Sequence, residues 1–292
     1  MKTILLGPQR RPTLDSVVRL LGLPGPFAMV TAGWQEREPD DGELRALLGG
    51  RSVGLELYRR WLDVQERDPE YAAASRALAD VLAELADLYL LRLDYALQAV
   101  YALQRRTSGS ALDEAVAGVQ SLDAAHLARA NEVRGEFFDR LRPHDRPVIA
   151  LHRAEVADLL GSAAALVVAG GDVGVLAEVL HLFNVAAALN GAPVIAWSAG
   201  AMALTDRIVL FGDRSPQGPG HPEVYGSGLS LLRDVVLLPH ARARLLLDDT
   251  PRMAVFARRF APARCVPLEA GTRIDVPADG AWPSGIRTIE AA

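Results

Sequence analysis

Cysteine is almost absent from this chain of 292 residues, which contains only Cys265. A single thiol cannot form an intramolecular disulfide bond, and there is no pair of thiols to hold a structural zinc ion. We therefore expect a protein of the reducing cytoplasm that works without a metal or another cofactor.

Long apolar runs and dense basic clusters are also missing. The N-terminal stretch "MKTILLGPQ" is far shorter than the apolar core of a secretory signal, and Arg92 and Asp94 interrupt the longest apolar candidate before the roughly 20 residues that a membrane span needs. The 31 Lys and Arg residues are balanced by 36 Asp and Glu residues, without a basic block that could follow a phosphate backbone. We expect a soluble protein that binds neither membranes nor nucleic acids.

Half of the residues are apolar, which is enough for a large core. Residues 1 to 40 have the strand, helix, strand pattern that begins a βαβ unit, and the alternation resumes after Pro147. The strands expected in this second part are "PVIAL", "ALVVAGG", "PVIAWS", "IVLFG", "VVLLP" and "CVPL". Apolar strands separated by helices predict an α/β fold with a mostly parallel sheet that is covered by helices on both faces.

Residues 41 to 141 interrupt this alternation with almost wholly helix-forming sequence. The spacing predicts one helix over about 71 to 106 and a second over about 111 to 141 that folds back on it as an antiparallel partner. We therefore divide the chain into an α/β domain, 1–40 and 142–292, and a helical insertion, 41–141. The insertion is interpreted as a packing or dimerisation element, with a lid or substrate-binding role as the alternative, and we expect a homodimer.

Ligands of parallel sheets collect at the carboxyl ends of the strands, and four strand ends carry informative residues. Gly170 and Gly171 end one strand before a helix, whose free N–H groups suit an oxyanion. Ser198, Asp213 and His240 each follow another strand. A serine activated by a histidine, which a carboxylate orients, is the arrangement of serine hydrolases.

Each of these residues also has a structural interpretation. Ser198 could cap a helix, Asp213 could be a turn residue, and His240 could be a polar residue near the surface. Asp213 is the first choice for the acid because it directly follows a strand in a turn-like context. The reserve carboxylates are Asp206, Glu223 and Asp234.

Several segments in a fixed order resemble the peptidase E and cyanophycinase family of serine peptidases. They are "GGD" before a helix, then "AWSAGA", "LLPHARARLLL" and "VPLEAGTRIDV". The resemblance covers about residues 145 to 275 well and 1 to 40 weakly, and it leaves the insertion uncovered. It implies a class I glutamine amidotransferase-like fold and a serine peptidase that cleaves a small substrate, such as an aspartate-containing peptide.

Carried over by position, the family nucleophile falls on Ser198, its histidine on His240 and its acid on Asp213, with the N–H groups of Gly171 and Ala199 as the oxyanion hole. The family's substrate-binding arginine resembles Arg252 in its context. Arg242 and Arg244, which follow His240, are further candidates for gripping a carboxylate with two hydrogen bonds. The sequence departs from the family at Ala241, where an aromatic residue is common, and in its long insertion.

Two other functions remain open on the sequence. The protein could be a non-catalytic homologue that acts as an interaction or regulatory scaffold through its insertion. It could also be an esterase of the α/β-hydrolase fold, which shares the order Ser, Asp, His, although the elbow of that fold usually follows more strands than precede Ser198 here.

Overall fold

The computed structural model describes residues 1–10, 12–106, 109–213 and 220–290. A six-stranded sheet forms its centre, with the strands in the order β10, β1, β5, β4, β2, β3. All neighbouring strands are parallel except β10, which is antiparallel to β1. The strands are β1 (Thr3–Leu6), β2 (Phe27–Val30), β3 (Ser52–Gly54), β4 (Ala165–Val168), β5 (Val194–Trp197) and β10 (Arg273–Val276).

Both faces of this sheet are buried, because successive side chains of a strand point to opposite faces. Ile4 and Leu6 of β1 pack with the helices that follow β1 and β2, whereas Leu5 belongs to the larger core on the other face. The predicted α/β fold with a mostly parallel, helix-flanked sheet and a long helical insertion is confirmed.

Eleven α-helices are present in the described residues. In chain order they are α1 (Leu14–Leu21), α2 (Gly42–Leu47), α3 (Leu57–Arg67), α4 (Pro69–Gln104), α5 (Ser110–Leu141), α6 (Pro147–Ser162), α7 (Val173–Leu182), α8 (Val185–Ala188), α9 (Ala199–Ala203), α10 (Ala241–Arg244) and α11 (Thr250–Phe260).

Two small sheets complete the fold beside the central one. Strands β6 (Ile208–Leu210) and β7 (Glu223–Gly226) form an antiparallel pair. Strands β8 (Val235–Pro239) and β9 (Arg264–Leu268) form a parallel pair, which ends just before His240 and Glu269. Three strands expected in one sheet, "IVLFG", "VVLLP" and "CVPL", therefore lie in these smaller sheets.

The long helices α4 and α5 form the predicted antiparallel hairpin, although Thr107 and Ser108 of its connecting turn lie outside the described residues. A buried polar cluster fastens the hairpin to α11. Arg259 donates from Nε and Nη2 to the two carboxylate oxygens of Asp123, each at 2.7 Å, and the Tyr89 hydroxyl donates to Asp123 at 2.8 Å. The hairpin is therefore docked on the α/β domain by a fully buried ion pair.

Two sequence-based assignments are corrected by the structure. Strand β3 belongs to the central sheet, although it lies within the range 41–141 that was assigned to the insertion. The expected strand "PVIAL" is the first part of α6, which begins at Pro147. Proline suits the first turn of a helix, and a short apolar run does not by itself distinguish a strand from a buried helix.

Among the described residues, no helix combines the length and the apolar character that crossing a membrane requires.

Candidate active site

Ser198 lies between the end of β5 and the start of α9, at the carboxyl edge of the parallel strands. Its backbone angles are φ 51° and ψ −128°, and its side chain makes no capping hydrogen bond to α9. A positive φ is strained for a residue with a side chain and persists only where the surroundings impose it. The hydroxyl is therefore presented at the sheet edge instead of capping the helix.

Small residues permit this sharp turn. A Cβ on Gly200 would come within 2.5 Å of the carbonyl oxygens of Val168 and Ala169, and a Cβ on Gly170 would come within 2.8 Å of the Cβ of Ser198. Helix α9 consequently lies close against β4, and the loop after β4 lies directly beside the serine.

Gly171 and Ala199, the residues predicted to form an oxyanion hole, lie in the loop after β4 and at the start of α9, which meet at Ser198. Gly171 has φ 128°, and its Cα packs against the backbone of Gly33 in the loop after β2. In the described part of the chain, no hydrogen bond is formed by the backbone N–H of either Gly171 or Ala199. Both N–H groups are thus available to an oxyanion beside Ser198.

The same loop after β2 contains a strained residue that the sequence analysis missed. Gln35 has φ 57° and ψ −126°, almost the same backbone angles as Ser198. This loop is hydrogen-bonded to the loop after β4, residues 169–172, which we call the oxyanion loop. Asp172 donates its backbone N–H to the carbonyl of Gly33 at 2.7 Å. No sequence signal marks Gln35, since strain of this kind is visible only in the backbone.

His240 follows β8 in a left-handed conformation, with φ 57° and ψ 33°. Its backbone N–H donates to the carbonyl of Leu268 at 3.1 Å, which fixes it beside the end of β9. Burial lowers the pKa of the His240 imidazole, and the nearby charges of Arg244 and Arg10 lower this pKa further, whereas the charge of Glu269 raises it. The imidazole is therefore predominantly neutral at pH 7, as a general base must be.

Ser198 and His240 lie at the same edge of the molecule, connected through Gly7 and Glu269. Leu6 of β1 pairs with Trp197 of β5 in the central sheet. Gly7 and Ser198 directly follow these two residues, so they lie at the same edge of the sheet. A Cβ on Gly7 would come within 1.7 Å of the Glu269 carbonyl oxygen, so Glu269 is in contact with Gly7. Among the described residues, however, no hydrogen bond joins His240 to Ser198, and such contacts are often loose without a ligand.

Glu269 is the carboxylate whose charge acts on His240. Its Oε1 accepts the backbone N–H of Arg242 at 2.7 Å, and its backbone N–H donates to Thr272. The sequence did contain a signal for it, because Glu269 directly follows a buried strand in "VPLEAGTRIDV". The family resemblance places the acid between Ser198 and His240, whereas Glu269 follows His240 in the chain.

Asp213, the predicted acid, is placed elsewhere. Its side chain is fully buried, and it accepts hydrogen bonds from Arg252 Nε at 3.1 Å, from Arg252 Nη2 at 2.5 Å and from the backbone N–H of Leu246 at 3.0 Å. No described hydrogen bond joins the His240 side chain to Asp213, to Glu269 or to the reserve acids, which are Asp206, Glu223 and Asp234. The buried charge of Asp213 is thus paired with Arg252 and not with His240.

The same ion pair corrects the role expected for Arg252. Its guanidinium already holds a carboxylate of the protein and also lies over the ring of Tyr101, with its Cζ at 5.9 Å from the ring centroid. It is therefore not available for a two-bond contact to a substrate carboxylate.

Arg242 and Arg244, the other two candidates for substrate binding, are exposed on α10. The Arg244 guanidinium lies 5.9 Å from the centre of the Phe211 ring. Arg242 lines a groove of about 650 Å³ together with Glu269, Thr272 and Arg273. In the described residues, no group of His, Cys, Asp and Glu side chains is arranged to hold a metal ion.

The chain was compared with known proteins. Neither a protein-family model nor a curated protein matches it. Among crystal structures, it is similar to a peptidase from an acI-B1 Actinobacterium, with 13% sequence identity, a TM-score of 0.47 and coverage of 100% of this chain and 91% of that chain. A similarity of this degree does not assign an activity to this chain.

Proposed function

We propose that the protein is a serine hydrolase that cleaves a peptide or amide bond in a small substrate. Ser198 is the nucleophile, His240 the general base, and Glu269 the carboxylate that orients and charge-balances His240. The N–H groups of Gly171 and Ala199 bind the oxyanion. Glu269 replaces Asp213 in this proposal because it is the acid adjacent to His240.

The observation that carries the proposal is the backbone of Ser198, with φ 51° and ψ −128° between β5 and α9. Strained residues of this kind are concentrated at functional sites, and a serine at a strand-to-helix elbow is a recurrent nucleophile. A cap would satisfy the helix without strain, so the strained conformation favours the nucleophile.

The chemistry balances with these residues alone. His240 takes the proton from the Ser198 hydroxyl while Oγ bonds to the substrate carbonyl carbon, and the carbonyl oxygen becomes an oxyanion facing Gly171 and Ala199. The imidazolium then gives its proton to the leaving amine as the C–N bond breaks. Water, deprotonated by His240, attacks the acyl carbon, and the bond to Ser198 Oγ breaks to release the acid while the imidazolium returns its proton to Oγ.

The direct test is labelling with a fluorophosphonate, which reacts with activated serines. We expect stoichiometric labelling at Ser198 and none in Ser198→Ala. Ser230→Ala is a matched control, because Ser230 also has a positive φ, 55°, but lies outside the proposed site. Unlabelled Ser198 in a folded protein would eliminate the serine mechanism.

Substrate comparison separates a peptidase from an esterase. We expect the protein to release free amines from dipeptides and to hydrolyse simple esters of acyl chains only slowly. The opposite preference would favour an α/β-hydrolase type of esterase.

A second candidate function is that of an interaction scaffold, and one observation favours it. Helix α4 exposes large apolar side chains along one face, with Leu91 at 58% and Tyr95 at 67% exposure. Exposed apolar faces of this kind mark protein contacts. A scaffold would retain this surface and show no labelling of Ser198.

A further inference from the structure

Arg134 of α5 is a half-buried cation without a carboxylate partner among the described residues. Its Nη1 is buried and has no hydrogen-bond partner in the described structure, and burial lowers the pKa of its guanidinium. A buried donor that is left unpaired is costly, and more so when it is charged.

Three other arginines with low exposure are matched by aspartates. Arg146 bonds Asp68 twice, Arg252 bonds Asp213 twice and Arg259 bonds Asp123 twice. The carboxylate whose charge acts on Arg134 is Glu178, but Glu178 accepts a hydrogen bond from Trp61 Nε1 at 2.8 Å and makes no described ion pair with Arg134. Arg134 therefore has the donors for a two-bond carboxylate contact that none of the described residues uses.

Tyr225 connects this arginine to the candidate active site. The guanidinium lies over Gly226, where a Cβ would come within 3.4 Å of Nη1, and its charge acts on the neighbouring Tyr225. The Tyr225 hydroxyl in turn reaches the first turn of α7, where a Cβ on Gly174 would come within 2.4 Å of it.

The first turn of α7 follows directly after the oxyanion loop. Asp172 caps α7 by accepting the backbone N–H of Val175 at 2.9 Å, and Gly170 and Gly171 precede it beside Ser198. Tyr225 thus contacts the first turn of α7, which follows the loop beside the nucleophile, and Arg134 lies next to Tyr225 over Gly226. The Tyr225 hydroxyl, like Arg134, forms no hydrogen bond within the described residues.

We propose that Arg134 and Tyr225 form a subsite that binds a carboxylate group of the substrate. Arg134 donates two parallel hydrogen bonds and Tyr225 donates one from its hydroxyl, so that the carboxylate is held beside the oxyanion loop. This subsite deepens the proposed hydrolase function and rests on it for the identity of the bound molecule as a substrate. It also gives the helical insertion a binding role, because Arg134 belongs to α5.

The test measures binding without turnover, in the Ser198→Ala protein, by calorimetry with paired dipeptides. Ala-Leu is compared with its carboxyl-terminal amide, and Asp-Leu amide is compared with Asn-Leu amide. We expect at least one carboxylate-bearing member to bind about 10-fold or more tightly than its neutral partner, as a charged two-bond contact should. The first pair reports a terminal carboxylate and the second a side-chain carboxylate.

Arg134→Met, added to Ser198→Ala, should abolish this preference, and Arg134→Lys should leave an intermediate one. Tyr225→Phe should weaken it to a smaller extent. Arg129→Met is the matched control on the same helix, since Arg129 is exposed and, among the described residues, forms an ion pair only with Glu132 at the surface. Thermal melting shows which variants fold, and Arg134→Lys with Tyr225→Phe decides the question if Arg134→Met does not fold.

The outcomes separate this subsite from the hydrolase function. A carboxylate preference that survives Arg134→Met, or no preference for either carboxylate in Ser198→Ala, overturns the subsite. Absence of fluorophosphonate labelling in the unmodified protein overturns the hydrolase function instead. An Arg134-dependent preference in an unlabelled protein would leave a carboxylate-binding site without hydrolysis.

Discussion

The charges that act on His240 come from three segments of the chain. Arg10 follows β1, Arg244 lies on α10, and Glu269 follows β9. The two arginines and burial lower the pKa of the imidazole, and Glu269 opposes them. The pKa of His240 is therefore shifted by burial first, then by Arg244 nearby in the sequence and by Arg10 and Glu269, which are distant in the sequence.

The first prediction concerns the pH dependence of Ser198 labelling. Because the pKa of His240 is lowered from 6.5, labelling should remain fast at pH 7 and fall only as the pH drops through a midpoint below 6.5. Glu269→Gln removes the charge that raises this pKa, so the midpoint should move further down and the rate should fall by about 100-fold. Arg244→Met should move the midpoint up.

Asp213→Asn distinguishes the two candidate acids in the same experiment. Asp213 is held by Arg252, so its substitution should lower stability but leave the midpoint in place. A midpoint that moves with Asp213 and not with Glu269 would return the acid role to Asp213.

A second residue-scale prediction contrasts two glycines. Gly200→Ala places a Cβ about 2.5 Å from two backbone carbonyl oxygens, which cannot move away without shifting β4. Overpacking of this kind should cost about 1 to 3 kcal/mol of unfolding free energy and slow the labelling of Ser198. Gly118→Ala in α5 meets no neighbouring atom within 4 Å and should stabilise the protein by about 0.5 to 1 kcal/mol.

Urea unfolding monitored by circular dichroism measures both effects. Equal changes in the two variants would show that the packing of α9 against β4 is not as close as described.

At the scale of elements, the hairpin of α4 and α5 is joined to α11 by charge as well as by apolar packing. Asp123 and Arg259 have side chains that are only 1% and 3% exposed, and Tyr89 completes their hydrogen bonding. Removing one partner of such a pair leaves an uncompensated buried charge, whereas apolar replacement of both can be nearly neutral.

The third prediction follows from this pair. Asp123→Asn should lower the unfolding free energy by about 3 to 5 kcal/mol, and the double variant Asp123→Leu with Arg259→Met should lose much less than the sum of the single changes. Asp15→Asn is the control, because it breaks an exposed pair with Arg19 and should change stability little. Additive losses in the double variant would contradict the assigned coupling.

At the scale of the whole molecule, α4 presents an apolar stripe that the chain itself does not cover. Its residues Val81, Leu88, Leu91 and Tyr95 recur at helical spacing and are 43% to 67% exposed. A symmetric homodimer would cover such a stripe on both copies at once.

The fourth prediction is that the protein sediments as a dimer at micromolar concentration and that Leu88→Glu converts it to a monomer. The glutamate would bring two like charges into an apolar contact. Leu20→Glu, at a position that is 74% exposed on α1, should leave the dimer intact. A full-length monomer at this concentration would refute the dimer.

Some features were readable from the sequence because they depend on local patterns. Apolar runs bounded by glycine and proline marked β1, β2, β4 and β5, and helical spacing marked the hairpin to within a few residues at each end. The strand-to-helix turn at Ser198 was readable because small residues follow a buried strand. Local patterns failed at "PVIAL", where a proline begins a helix and the apolar run is its first turn.

The sequence by itself determined the fold class, the two long helices and the position of the elbow serine, because each is encoded by residues that are neighbours in the chain. Tertiary structure decided which carboxylate charge acts on His240, and it left Arg134 without an ion pair among the described residues. Asp213 pairs with Arg252 across 39 positions, while Glu269 reaches His240 through the pairing of β8 with β9. Such partnerships depend on distances between elements far apart in the chain, and no spacing in the sequence carries that information.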